Sequence, residues 1–179
     1  MAALNKNESH TFRATVPGDL SALMALSNQA YGEYATVLTP DNWDKMHQDL
    51  NDVERLAQLL RKSRGIACFD GAQLVGMAFL VPHGHPTHIY PAHWSYISLV
   101  GVHPAYRGQG IAERLTVSCI GQARALGEPV VALHSSEIMG TARKLYERLG
   151  FKQVRELDII YGKRSWLYKL DLGVGPNRD

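Results

Sequence analysis

The sequence predicts one domain built on a mixed α/β sheet. Three observations carry this. The length of 179 residues falls within the usual size of a single domain. Short apolar runs interchange with segments of helical period. Their order is strand, two helices, three strands, helix, strand, helix, two strands, which is not a regular βαβ repeat.

Composition narrows the class. Apolar residues make up 45% and charged residues 20%, ordinary values for a globular chain. A net charge of +2 is too small to mark a nucleic-acid surface. No apolar stretch approaches the roughly 20 residues that span a bilayer, and MAALNKNESH lacks the apolar core of a secretory signal. Cys68 and Cys119 lie far apart inside apolar patterns, so buried thiols in a reducing cytoplasm are expected instead of a disulfide framework. The expected domain runs over residues 11–172, with residues 1–10 and 173–179 as flexible tails.

Each element has its own signal. Thr11 to Thr15 reads as a first strand, stopped by Pro17-Gly18. Asp19 suits the N-cap of a helix carrying Leu20, Leu23, Met24, Ser27, Ala30 and Tyr31. A second helix is expected from Thr39-Pro40-Asp41 through Trp43, Met46, Leu50, Val53, Leu56 and Leu60, closed by Gly65. Ile66 to Phe69 and Leu74 to Val81 form a predicted hairpin around Asp70-Gly71. Residues 82–93, rich in Pro and His, form a loop, and Tyr96 to Val102 is the next strand. Ile111, Leu115, Cys119, Ala123 and Leu126 mark a helix ending at Gly127. Val130 to Leu133 is a short strand, and Ala142, Leu145, Tyr146 and Leu149 mark a helix closed by Gly150. Strands from Phe151 to Tyr161 and Trp166 to Leu172 flank a turn at Gly162-Lys163-Arg164-Ser165.

The chemistry concentrates in VGVHPAYRGQGIAERL, residues 100–115. A strand reaches Val102, Pro104 ends it, and a helix begins near Gly110. Gly108 and Gly110 allow positive φ and close approach of a ligand. Successive amides at a helix N-terminus attract an anion, and Arg107 adds a permanent positive charge. Together these features suit a pyrophosphate. A Walker loop is excluded because no lysine follows Gly110. A dinucleotide fingerprint fits less well, since its third glycine position holds Glu113 and the candidate ribose acid, Glu128, precedes a strand.

The junction resembles the central motif of the GNAT family of N-acetyltransferases, with Arg107, Gly110 and Ala112 at the family's Arg/Gln-x-x-Gly-x-Gly/Ala positions. Leu145-Tyr146-Glu147-Arg148-Leu149-Gly150-Phe151 resembles a second, later motif of the same family at suitable spacing. The resemblance extends over the element order from about residue 11 to residue 172. It implies a mixed, mostly antiparallel central sheet flanked by helices, and acetyl-CoA as cosubstrate. It also implies direct attack of an acceptor amine in a ternary complex, with neither cysteine acylated. A small-molecule amine is the expected acceptor, with a protein amine or a non-catalytic acyl-CoA-binding role as alternatives. Dimers are common in the family, so a homodimer is a further expectation from the resemblance.

Residue roles follow from the same resemblance. Val100, Gly101 and Val102 would meet the pantetheine arm through their backbone, where the strand splays from its neighbour. The amides of Arg107, Gly108, Gln109, Gly110, Ile111 and Ala112 would hold the pyrophosphate, and Glu113 is the next of the cofactor-binding residues. Tyr146 matches the tyrosine that serves the departing thiolate, whose solution pKa is about 8.5. Many members carry an asparagine where this chain has Met139, leaving Ser135, Ser136 or Thr141 to substitute. The strand of residues 96–102 has no carboxylate to act as base, so His134, Glu137 and ordered water stand as the candidates. Tyr31, Glu33 and Tyr34, between the first two helices, would wall the acceptor pocket, where aromatics with a carboxylate suit a small cationic amine. His83, His85, His88 and His93 cluster in one loop, but no cysteine or carboxylate completes a tetrahedral set there, and no metal is expected. Arg61, Lys62 and Arg64 read as a solvated helix end.

Overall fold

The computed structural model describes residues 10–173. Strand β1 (His10–Ala14) leads through a short turn to α1 (Leu20–Tyr31), α2 (Pro40–Leu50) and α3 (Val53–Lys62). Then follow β2 (Arg64–Asp70), β3 (Gln73–Val81), β4 (Ser95–Val102) and α4 (Ile111–Ala125). The chain continues through β5 (Val130–Ser136), α5 (Gly140–Arg148), β6 (Lys152–Glu156) and β7 (Ser165–Asp171). The strands form one sheet in the order β1-β2-β3-β4-β5-β7-β6. Among the described residues, only the β4–β5 pair is parallel. This is the mixed sheet that the element order predicts, mostly antiparallel as the resemblance implies.

Strand alternation divides the core between two faces. On one face, Leu115 and Cys119 of α4 and Leu145 and Tyr146 of α5 pack with Cys68, Ala78, Leu80, Ile97, Val131 and Leu133. On the other, Leu23 and Leu26 of α1 and Leu56 of α3 pack with Ala67, Met77 and Phe79. Leu23 and Leu115 have no exposed surface; removing such a side chain from water contributes about 1.5–3 kcal/mol each. The sheet therefore has α4 and α5 on one side and α1 to α3 on the other.

Several local expectations change. The second predicted helix is two helices. Its apolar spacing runs unbroken through Leu50 and Val53, but Asp52 caps α3 by accepting from the Arg55 amide at 3.0 Å. Asn51 is drawn to Asn28 of α1 by a pair of 2.9 Å side-chain bonds. Gly65 does not close that helix; it lies buried within β2. Asp19 does not cap α1. Its carboxylate instead accepts from the Val16 amide and from Arg13 at 2.8 Å, and the Arg13 bond holds its pKa below the usual range. Strand β6 is shorter than predicted, and the tight turn falls at Tyr161-Gly162 between the bridged residues Ile160 and Lys163. Both turn residues have positive φ, 49° and 73°, as a two-residue turn of the hairpin type requires. His10 belongs to β1, and Gly173 is described; the remainder of each expected tail lies outside the described residues.

Candidate active site

The site begins with an irregularity in β4. Its pairing with β3 shifts register between Met77 and Phe79, so Leu99 and Val100 face Ala78 together. Leu99 sits at φ 54°, in the left-handed region, which costs a branched apolar residue about 1–2 kcal/mol. The bulge turns Leu99 toward the α1 side while Val100 and Val102 stay with the α4 core. Beyond it the sheet opens. Strand β4 pairs with β5 only at Ser95–Val131 and Tyr96–Ala132, and the two strands then diverge. A continuous cleft of about 1120 Å³ passes through this fork.

At one end of the cleft lies the loop between β4 and α4. Gly108 and Gly110 have φ of 75° and 76°, and a Cβ at either position would meet nothing within 4 Å. Among the described residues, the amides of residues 108–113 donate to no protein acceptor; the first bond of the helix runs from the Arg114 amide to the Gly110 carbonyl at 3.0 Å. These free donors at a helix start form a concave anion site. Gly108, Gly110, Ile111, Ala112 and Glu113 line the cleft. The Gln109 side chain lies elsewhere, in a separate hollow with His10, Phe12 and Arg114, leaving its amide as its contribution.

Two predicted charges neutralise each other. Arg107 donates to Glu33 at 2.7 Å and to the Ala30 carbonyl at 2.8 Å, clamping the loop to the end of α1. Arg107 is therefore not an unpaired cation beside the loop, and Glu33 is not a free carboxylate for a cationic acceptor. Tyr31, also on the cleft wall, donates to the Val100 carbonyl at 2.9 Å and so braces the bulge. Gly101 makes room for α1, since a Cβ there would stand 3.3 Å from that of Ala30. Tyr34 lines the cleft beside Tyr31, with ring centroids 6.1 Å apart. Glu113 pairs with Arg148 at 3.0 Å.

Tyr146 enters the fork from α5. It is buried against Phe151, yet its side chain borders the cleft. Burial raises the phenol pKa, with Cys119 and Tyr34 acting in the same direction, so the hydroxyl remains protonated. Among the described residues, no protein group accepts its hydrogen. Ser135, 2% exposed and also lining the cleft, carries a buried hydroxyl with no protein partner. Thr141 lines the same wall beside Met139, whereas the Ser136 hydroxyl is bound to the Arg164 carbonyl at 3.3 Å.

The opposite end opens among elements of the α1-to-α3 face. Leu133 belongs to the α4 core, so His134 points to this other face. His134 is open to the cleft, and its Nδ1 lies 2.7 Å from the Tyr90 hydroxyl. Tyr90 stacks on Tyr96 with centroids 4.1 Å apart. The Tyr90 hydroxyl has no other acceptor among the described residues, so we assign its O–H as donor and place the imidazole hydrogen on Nε2. In this tautomer His134 offers the cleft a donor; with the hydrogen on Nδ1 and Tyr90 accepting, Nε2 would face it as an acceptor. Glu137 is turned away from the cleft and accepts from the Arg164 amide at 2.9 Å.

Desolvation pushes the His134 pKa down to about 4, and His88 and Arg55 act in the same direction. The unfolded chain takes up this proton near the ordinary value of about 6.5, before the folded protein does. Stability is therefore expected to fall as pH drops from about 6.5 to about 4. Denaturant unfolding across that window is expected to show a flatter dependence for His134→Gln than for the native protein.

Residues that the sequence did not single out complete this end. Asp49 at the end of α2 pairs with Arg55 at the start of α3 at 2.9 Å. Tyr161 in the β6–β7 turn donates to the same Asp49 carboxylate. Tyr90 arrives from the loop before β4. These contacts depend on the α2–α3 break and on the turn at Tyr161-Gly162, neither of which the apolar pattern revealed. Of the loop histidines, His88 lines the cleft, while His83 meets the buried Glu128 carboxylate at 3.0 Å and ties the loop to the start of β5. Among the described residues, no group of three His, Cys, Asp or Glu side chains is placed to hold a metal ion. No described helix is long and apolar enough to cross a membrane.

A parallel strand pair forked beside a glycine-rich helix start is the layout of the acyl-CoA N-acyltransferase fold. Comparison with solved structures agrees. The PaiA N-acetyltransferase of Thermoplasma acidophilum, crystallised with coenzyme A, superposes at a TM-score of 0.73 over 91% of this chain and 99% of that one, at 15% identity. YncA of Salmonella typhimurium, a putative acetyltransferase solved with acetyl-CoA, gives 0.71 over 96% and 98%, at 20% identity. At these identities the likeness is one of fold. In sequence, the acetyltransferase (GNAT) domain profile matches residues 11–154, and the chain belongs to the GNAT acetyltransferase family. A mycothiol acetyltransferase of Streptomyces scabiei is 29% identical over 156 residues, covering 86% of this chain and 46% of that protein. YycN of Bacillus subtilis, an uncharacterized N-acetyltransferase, is 34% identical over 82 residues, 46% of this chain and 49% of that protein. The chain spans half or less of the length of the curated relatives it matches.

Proposed function

We propose that the chain is an acetyl-CoA-dependent N-acetyltransferase acting on the primary amine of a small molecule. The observation that carries this reading is the run of unpartnered amides at residues 108–113, opening onto a fork that Tyr146 also borders. The cosubstrate fits the residues present. The amides and the start of α4 suit a pyrophosphate, the bulged β4 offers backbone to an extended arm, and the orphaned Ser135 hydroxyl lacks only a polar partner.

Chemistry at the fork follows from the protonation states. As the acceptor nitrogen bonds to the acetyl carbon, the carbon–sulfur bond breaks, Tyr146 donates its hydrogen to the departing sulfur, and the phenolate regains a proton from water. The amine must arrive neutral. With Nε2–H facing the cleft and a pKa near 4, His134 is a donor that orients the acceptor, and the amine proton leaves to water. Burial pushes the thiols of Cys68 up to about 11 and Cys119 up to about 12, and both are fully buried. This supports direct transfer without an acetyl-cysteine.

The test is a CoA-release assay with acetyl-CoA and a panel of small amines, run beside a peptide with a free N-terminal alanine. Turnover of a small amine in preference to the peptide is expected. Turnover of the peptide alone would contradict the small-molecule reading. Tight binding of acetyl-CoA without CoA release from any acceptor would contradict catalysis.

A further inference from the structure

We propose that the acceptor is an amine that also bears an anionic group, and that Arg55 receives that group at the mouth of the cleft. This rests on the acetyltransferase reading above and specifies its substrate. The charges facing the acceptor end come from three elements. Arg55 and Lys62 stand on one side of α3, Lys163 follows the Tyr161-Gly162 turn, and Asp49 ends α2. Asp49 is the acid among them, and it is already engaged twice, by Arg55 and by the Tyr161 hydroxyl. The other two carboxylates on the cleft wall are paired as well, Glu33 with Arg107 and Glu113 with Arg148.

Among the described residues, every carboxylate on the cleft wall thus has an arginine partner, whereas not every cation there has a carboxylate. Arg55 meets Asp49 at 2.9 Å through Nη1, with the Tyr161 hydroxyl bonded beside it. A guanidinium carries five N–H donors, so one placed beside Asp49 and Tyr161 retains donors for a carboxylate or phosphate. Lys62 and Lys163, both half-buried, have no carboxylate partner among the described residues. Asp49 and Tyr161 act as positioning residues. Tyr161 holds a left-handed backbone, φ 49°, with its hydroxyl on Asp49, and Asp49 in turn fixes Arg55 at the corner between α2 and α3. An anion anchored there leaves the amine to reach inward, past His134, toward the fork.

The experiment measures kcat/KM by CoA release for matched acceptors: α-amino acids beside their carboxamides, and phosphoethanolamine beside ethanolamine. Calorimetric binding of acetyl-CoA is measured in parallel. The anionic member of a pair is expected to be favoured roughly tenfold or more, the size of one charge-assisted bond. The carboxylate and phosphate arms identify which anion is used. Arg55→Gln is expected to bring the ratio close to one, and Arg55→Lys to restore part of it. Arg55 is exposed, so neither change disturbs the core. Uncharged or polycationic amines used as well as anionic ones, or a ratio unmoved in Arg55→Gln, would overturn the proposal. So would CoA release with none of the anionic acceptors by a protein that binds acetyl-CoA. Failure to bind acetyl-CoA at all would instead overturn the acetyltransferase reading on which it rests.

Discussion

Gly110→Asp is expected to weaken acetyl-CoA binding by two orders of magnitude or more, with little change in thermal stability. The backbone at this position has φ 76°, in a region that aspartate tolerates better than most residues, and a Cβ would point into open space. The fold therefore loses at most about 1–2 kcal/mol. The ligand meets a carboxylate placed among the amides that would hold its phosphates, and like charges so juxtaposed cost several kcal/mol. Calorimetric titration beside a melting curve separates the two effects. Gly110→Ala is the control, because it adds the backbone strain without the charge. If Asp and Ala variants bind equally well, the loop is not the phosphate site.

Tyr146→Phe is expected to lower kcat roughly 10²-fold, the lower range for a positioned proton donor, while leaving acetyl-CoA affinity nearly unchanged. The hydroxyl is the part of the side chain that faces the fork without a protein acceptor. The ring, packed on Phe151 with centroids 6.0 Å apart, is kept by phenylalanine. A loss confined to kcat fits an interaction that strengthens as the sulfur takes on charge. An equal rise in KM with no change in kcat would place Tyr146 in binding alone.

Much of this architecture was legible in the chain. The 100–115 junction declared a strand, a left-handed loop and a helix start through Pro104, Gly108 and Gly110, because those residue types have few other uses in that order. The hairpin at Asp70-Gly71 and the helix carrying Tyr146 were equally plain from turn chemistry and period. What stayed hidden depended on contacts between distant segments. Apolar spacing carries no sign of the β4 bulge, which places Ser98 and Leu99 on the same face and sends Val100 back to the other. The break at Asn51-Asp52 depends on Asn28, a residue of another helix. Arg107 and Glu33 each read as a free charge until folding set them 2.7 Å apart. Tyr90 lies in an irregular loop whose sequence carries no sign that its hydroxyl meets His134.

The central claim is that the amides of residues 108–113 hold the pyrophosphate of acetyl-CoA. Amide hydrogen exchange, followed residue by residue with and without acetyl-CoA, addresses those N–H groups themselves. Without a protein acceptor they are expected to exchange rapidly in the free protein and to gain strong protection on binding, while the interior of α4 changes little. Acetyl-CoA that binds yet leaves residues 108–113 unprotected would contradict the account.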